Sequence, residues 1–203
     1  MSRGNDSQFT QVIPMSEQRR HQRIRFSAPP SVRIGQSGCS GRGTLENLSL
    51  SGLMLRTDFA LRTAETFGCE FSVRDSAAID LTATVVSKIG DCYGARFEQG
   101  PIGEWLIQDA IDAALAAGKA SILSINDHDG RTVMRIIGGL NGSLRNDFLH
   151  GLTRVGVADI DLSGVTEIDA DGLELCRIAI ERHGVTISRQ SRCVASGLEG
   201  YTL

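Results

Sequence analysis

The chain has 203 residues, enough for two small domains or one large one. With 41% hydrophobic and 22% charged residues, it has the composition of a globular protein, which excludes a mostly disordered or fibrous one. A net charge of −3 excludes a general nucleic-acid binder, so no nucleic-acid polymer is expected as a partner.

The longest apolar stretch, residues 106–125, is broken by Asp109, Asp112 and Lys119 and falls short of the ~20-residue run of a membrane span. Residues 1–15 lack the apolar core of a secretory signal. The five cysteines (Cys39, Cys69, Cys92, Cys176, Cys193) are scattered, without a CxxC pair, which argues against a disulfide framework and a zinc site. The expectation is a soluble, reduced, cytoplasmic protein with no metal and no cofactor.

Residues 1–17 are polar and read as a flexible arm. A basic cluster follows: between Arg19 and Arg33 there are five arginines and no acidic residue. Six short runs with alternating polarity come next, at 31–35, 43–49, 52–57, 69–74, 79–89 and 93–99. Such closely spaced strands with no helix between them predict an antiparallel barrel or sandwich over 18–100. The pattern then predicts an amphipathic connecting helix over 101–118, with a wide apolar stripe of Ile102, Leu106, Ala110, Ala113 and Ala117 flanked by Ile107, Ile111 and Ala114. That stripe fits packing on the domain's own core or on a neighbouring domain, and it also fits a dimer contact.

After Gly118 the period changes. A hairpin turns at Asp127–Gly130, a short helix follows over 143–152 with Ser143 as its N-cap, and a strand runs over 157–164. A helix over 170–184 places Leu173, Leu175, Cys176, Ile178 and Ile180 inward, and a last strand begins at Val185. This β-β-α-β-α-β order predicts a separate α/β domain over 119–203, with strands partly parallel.

Two short patterns carry chemistry in the first half. Arg19 and Arg23 form R-x-x-x-R just before the barrel, and Asn47-Leu48-Ser49-Leu50-Ser51-Gly52 forms N-x-S-x-x-G at a strand-to-strand turn. Each half alone is weak, since a basic run also fits lipid or RNA attraction, and Asn47 and Ser49 could simply cap a turn. In this order, followed by β-strands ending at Tyr93–Phe97, residues 17–100 resemble the PilZ family of cyclic di-GMP receptors. The resemblance implies an all-β barrel that binds this ligand through Arg19, Arg23, Asn47, Ser49 and Gly52, with Arg20 as a further contact. The chemistry agrees, because guanidinium groups pair bidentately with phosphate and with guanine O6/N7. Asn47 and Ser49 would add short hydrogen-bonding side chains, and Gly52 a close approach that a Cβ would block.

In the second half, residues 159–176 resemble the core of the STAS family of anti-sigma-factor antagonists, whose helix opens on an Asp-Ser-Ser-Gly-Leu loop. Here that loop reads Asp169, Ala170, Asp171, Gly172, Leu173, and the resemblance implies that an unidentified partner protein docks on it. Ala170 stands where the family carries its phosphoacceptor serine, and a methyl group cannot accept phosphate. Asp171 either mimics phosphoserine or only helps to cap the helix. The loops at 127–130 and 169–172 lack the further carboxylates of a calcium site. The four dispersed histidines form no catalytic or metal constellation. The sequence thus predicts a non-enzymatic cyclic di-GMP effector with two domains. The competing reading is a ligand-independent scaffold or partner-switching regulator acting through the second domain.

Overall fold

A computed structural model describes residues 21–73, 77–98, 100–128 and 130–199. The arm expected at 1–17, together with Arg19 and Arg20, lies outside the described residues. In the N-terminal half, alternation of apolar and polar side chains builds the strands: in β2 (Ser31–Gln36), Val32, Ile34 and Gln36 are buried while Ser31, Arg33 and Gly35 face out. Around it run β3 (Cys39–Ser49), β4 (Gly52–Arg56), β5 (Thr66–Phe71), β6 (Ile79–Ile89) and β7 (Cys92–Phe97). The antiparallel order β3-β2-β5-β6-β7-β4 returns from β4 to β3 and closes a six-stranded barrel. Of barrel and sandwich, the chain forms the barrel, and closure leaves these strands no free edge.

The sequence pattern missed β1 (Ile24–Phe26), which lies ahead of the first of the six predicted runs. Three residues give too few alternations to stand out, yet Ile24 and Phe26 are buried and Arg25 between them faces out. This strand pairs with the end of β3 on one side and with β8 (Ala120–His128) on the other. It therefore joins the barrel to a second sheet in one hydrogen-bonded array.

That second sheet has the order β8-β9-β10-β11, with β9 (Arg131–Leu140), β10 (Asp159–Ile168) and β11 (Thr186–Gln190). The β8–β9 pair is an antiparallel hairpin, and β10 lies parallel to both β9 and β11. The expected mixed α/β unit is present, with corrections in detail. Strand β10 continues to Ile168, four residues past its predicted end. Ser143 is not an N-cap: the Asn141 side chain accepts from the Ser143 N–H and opens a short 3₁₀ turn, from which α2 (Arg145–His150) follows. In α3 (Ala170–His183), Leu175, Cys176, Ile178 and Ala179 are buried, whereas Leu173 is half-buried and Ile180 exposed. The chain adds α4 (Arg192–Glu199), which tucks Val194 into the core of this unit.

Helix α1 (Pro101–Ala116) buries Ile107, Ala110, Ile111 and Ala114, a stripe of i, i+3, i+4, i+7 spacing that lies within the wide predicted one, on the side of its flanking residues. Ile102 and Ala113 are exposed. The buried side chains join the barrel core, so the helix is part of the barrel unit rather than only a connector. Its far end touches the second sheet, where the Thr166 hydroxyl donates to the Leu115 carbonyl at 2.6 Å. The C-terminal unit keeps a separate core around Met134, Ile136, Phe148, Ile160 and Leu175. Among the described residues, no helix is long and apolar enough to cross a membrane.

Candidate functional site

The registers of the strands bring one row of side chains together. Arg25 on β1 sits opposite Ser121 on β8 and opposite Asn47 on β3, and Asn47 sits opposite Met54 on β4. Directly opposed residues of antiparallel strands project from the same face, so Ser121, Arg25, Asn47 and Met54 form a line across four strands. Arg23 lies two residues before Arg25 on the same segment. These residues line a cleft of about 320 Å³, whose other side is made by Ser124, Leu144 and Asp147 of the C-terminal unit.

Within the cleft, the Asn47 amide nitrogen donates to a sulfur acceptor, Met54 Sδ at 3.6 Å. Its carbonyl oxygen Oδ1 is buried and has no hydrogen-bond partner among the described residues. A buried, unsatisfied acceptor costs about 1–3 kcal/mol, which a ligand donor would relieve. The other two motif residues in the barrel serve the turn. Ser49 is buried and its hydroxyl donates to the Gly52 carbonyl at 3.1 Å. At Gly52 a Cβ would overlap the Ala95 carbonyl oxygen of β7, so only glycine lets β4 approach that strand. Neither is among the residues that line the cleft; together they fix the β3–β4 turn at the end of the strand that carries Asn47.

Of the predicted binding set, the structure thus brings Arg23 and Asn47 to one cleft and places Ser49 and Gly52 behind it. Arg25, which sequence reasoning left out of the set, lines the same cleft. The signal was present: Arg25 is two residues from Arg23, the spacing that places two side chains on one face of a strand. Its guanidinium pairs with Asp147 at 2.7 Å, and Nη1 also donates to the Ser143 carbonyl at 3.5 Å. Asp147 and Ser124 come from the second unit, 122 and 99 positions after Arg25 in sequence, and no local pattern could have named them.

Residues 169–173 lie together at the start of α3. Asp169 is the N-cap, its side chain accepting from the Gly172 N–H at 2.8 Å, and Ala170 and Asp171 are exposed. Gly172 is buried where a Cβ would overlap the Leu140 carbonyl oxygen. Asp169 and Asp171 line a second, polar cleft of about 290 Å³ with Asn141, Ser143, Glu167 and Lys119. Lys119 and Glu167 pair there at 3.0 Å, so part of its charge is already balanced.

Other perturbed groups sit away from both clefts and explain themselves structurally. Burial pushes the Cys69 and Cys176 thiols up to about 12, which makes both inert at neutral pH. All five cysteines are unpaired. Hydrogen bonds from Arg177 hold Glu174 below the usual carboxylate range, a surface pairing on α3. Among the described residues, no group of three histidine, cysteine or acidic side chains could hold a metal ion.

The six-stranded barrel beneath this cleft falls within a stretch that matches a known family. Residues 17–115 match the family model for the PilZ domain. This part of the chain is a PilZ domain. The match covers α1 as well, in keeping with the place of that helix in the barrel core. Among solved structures, the PilZ domain of YcgR from Escherichia coli with c-di-GMP is similar at 19% identity and a TM-score of 0.43, covering 48% of this chain and 91% of that one. The Bacillus subtilis motility inhibitor MotI is similar at 16% identity and a TM-score of 0.40, covering 49% of this chain and 53% of that one. The Klebsiella MrkH–c-di-GMP complex is similar at 16% identity and 0.43, again over 49% of this chain and 53% of that one. The chain thus spans about half the length of the latter two proteins. No curated protein matches the sequence.

Proposed function

We propose that the chain is a receptor for cyclic di-GMP, with no enzymatic activity of its own, and that its C-terminal unit passes the signal to another protein. The observation that carries this reading is the unsatisfied Asn47 Oδ1 in a cleft lined by Arg23 and Arg25 within a PilZ domain. Guanine offers N1–H and N2–H donors that such an oxygen accepts, and the phosphates of the dinucleotide suit the guanidinium groups. Arg19 and Arg20 complete the binding set from the segment just before the described residues. Asn47 Oδ1 is covered and the cleft is small for two nucleotides, so binding is coupled to widening of the cleft.

Two features support a STAS-like reading of the C-terminal unit: the hairpin β8–β9 continued by parallel β10 and β11, and the capped loop Asp169–Leu173 that opens α3. An output protein docks around Asp169, Ala170, Asp171 and the exposed side of α3. Since Ala170 carries no hydroxyl, control comes from the nucleotide rather than from phosphorylation of this loop.

Calorimetric titration of the full chain with cyclic di-GMP tests the receptor function, with GTP and cyclic AMP as controls. Arg23→Ala is expected to weaken binding roughly tenfold to a hundredfold, the contribution of about 1.5–3 kcal/mol from a charged hydrogen bond to phosphate. Equal binding of all three nucleotides, or no loss in Arg23→Ala, would leave only unspecific attraction.

A further inference from the structure

The second arginine of the cleft is already engaged. Arg25 meets Asp147 at 2.7 Å and reaches the Ser143 carbonyl, and both of these groups belong to the C-terminal unit. Arg25 itself belongs to β1, directly opposite Asn47. The ion pair therefore spans the cleft, from its barrel floor to the α2 wall. Arg25 and Asp147 side chains are each 46% exposed, so solvent and anions reach the pair.

Carboxylate and phosphate are interchangeable partners for a guanidinium group, since both accept parallel N–H donors. From this we infer that Asp147 is an internal stand-in for a ligand phosphate, and that Arg25 is a binding residue which the nucleotide takes over from it. The inference rests on the cyclic di-GMP reading above and extends it. It adds to the site one residue that neither sequence motif contains, and it assigns to the second unit an acidic group that opposes binding. The Asp147 carboxylate acts against the ligand in two ways. It occupies Arg25, and its charge repels a phosphate entering the same cleft. When phosphate replaces it, the α2 wall loses its ionic tie to β1, and the cleft can widen toward the covered Asn47 oxygen. The ligand shifts this equilibrium only by its preference for the untied arrangement, which is set by the strength of the pair it displaces.

Half-exposed pairs contribute about 1 kcal/mol or less, which sets the scale of the effect. The experiment uses the full chain and four forms: parent, Arg25→Ala, Asp147→Asn and the double variant. Calorimetry with cyclic di-GMP should show Asp147→Asn binding roughly two- to fivefold more tightly than the parent. Arg25→Ala should bind at least fivefold more weakly. In the Arg25→Ala background, replacing Asp147 should retain less than the full gain, because one of its two effects requires Arg25. Weaker or unchanged binding by Asp147→Asn overturns the inference and shows Asp147 to be a ligand acceptor or a bystander. A second readout needs no nucleotide. Amide hydrogen exchange over residues 143–150 should rise in Arg25→Ala and in Asp147→Asn alike, and exchange equal to the parent in both overturns the tie. If no form binds cyclic di-GMP, the receptor reading fails, and the exchange result alone decides whether the ion pair holds α2 to β1.

Discussion

In the proposed site, Asn47 sets stability against binding in a single side chain. Its buried, unsatisfied carbonyl oxygen is a cost that the fold carries without ligand. Asn47→Leu keeps a similar volume and removes that oxygen, so the unfolding midpoint should hold or rise while cyclic di-GMP affinity falls more than tenfold. A lower midpoint with unchanged affinity, measured by thermal melts and calorimetry on one preparation, would show that Asn47 is only a packing residue. Gly52 has the opposite profile. A Cβ there meets backbone of β7 rather than a flexible side chain, so Gly52→Ala should cost about 1–3 kcal/mol in denaturant unfolding. Its effect on the nucleotide should follow from a displaced β3–β4 turn. The two residues share one sequence motif, yet the motif could not separate the part that faces the cleft from the part that shapes the turn. Spacing records which residues occur together and says nothing about which way a side chain points.

Among the elements, those with many repeats of one period were legible in the sequence, and short or buried ones were not. Strands β2 to β7 and helix α3 carry enough alternation or helical spacing to be read directly, whereas β1 has three residues and is defined only by its two neighbours. The predicted stripe of α1 was too wide because apolar residues surround the helix on several sides, and only the barrel decides that Ile107, Ala110, Ile111 and Ala114 are the buried ones. Element ends depend on caps, and the Asp169 cap can be tested. Asp169→Ala removes the acceptor for the Gly172 N–H and should destabilise the C-terminal unit by about 1 kcal/mol. Strand β10 offers a pH test. Burial alone would raise the Asp161 carboxyl, but hydrogen bonds from the Ser163 hydroxyl and N–H, with Arg135 and Arg189 nearby, hold it below the ordinary aspartate range. A carboxyl depressed by folding contributes stability that is fully present above its unfolded value, about 3.9, and is lost as pH falls through the lower folded value. Ser163→Ala should therefore reduce stability at pH 7 and reduce it less near pH 2. A loss of equal size at both pH values would assign the effect to packing instead.

At the scale of the molecule, two separate cores hang on one shared strand. Ile24 and Phe26 of β1 fill the barrel core, while the backbone of β1 pairs with β8 through Arg25↔Ser121 and Phe26↔Ala120. The Ser27 N–H adds a bond to the Lys119 carbonyl at 3.0 Å, continuing the same seam. None of this was legible, because a strand that belongs to two sheets is defined by partners 22–24 and 94–96 residues away rather than by its own pattern. The seam gives ligand binding on the barrel a route to the second unit, and calorimetric melting measures how strong that route is. Cyclic di-GMP at a hundred times its dissociation constant stabilises the bound state by about 2.7 kcal/mol, or roughly 5–11 °C for a chain of this size. If β1 couples the two units, the parent melts in one transition and the ligand moves all of it. Phe26→Ala empties a large position at the seam, at a cost of about 3–5 kcal/mol, and should split the melt into two transitions. The ligand should then move only the barrel transition, leaving the C-terminal unit where it was. Two transitions in the parent, with only one of them answering to the nucleotide, would mean that the units fold side by side and that the seam transmits nothing.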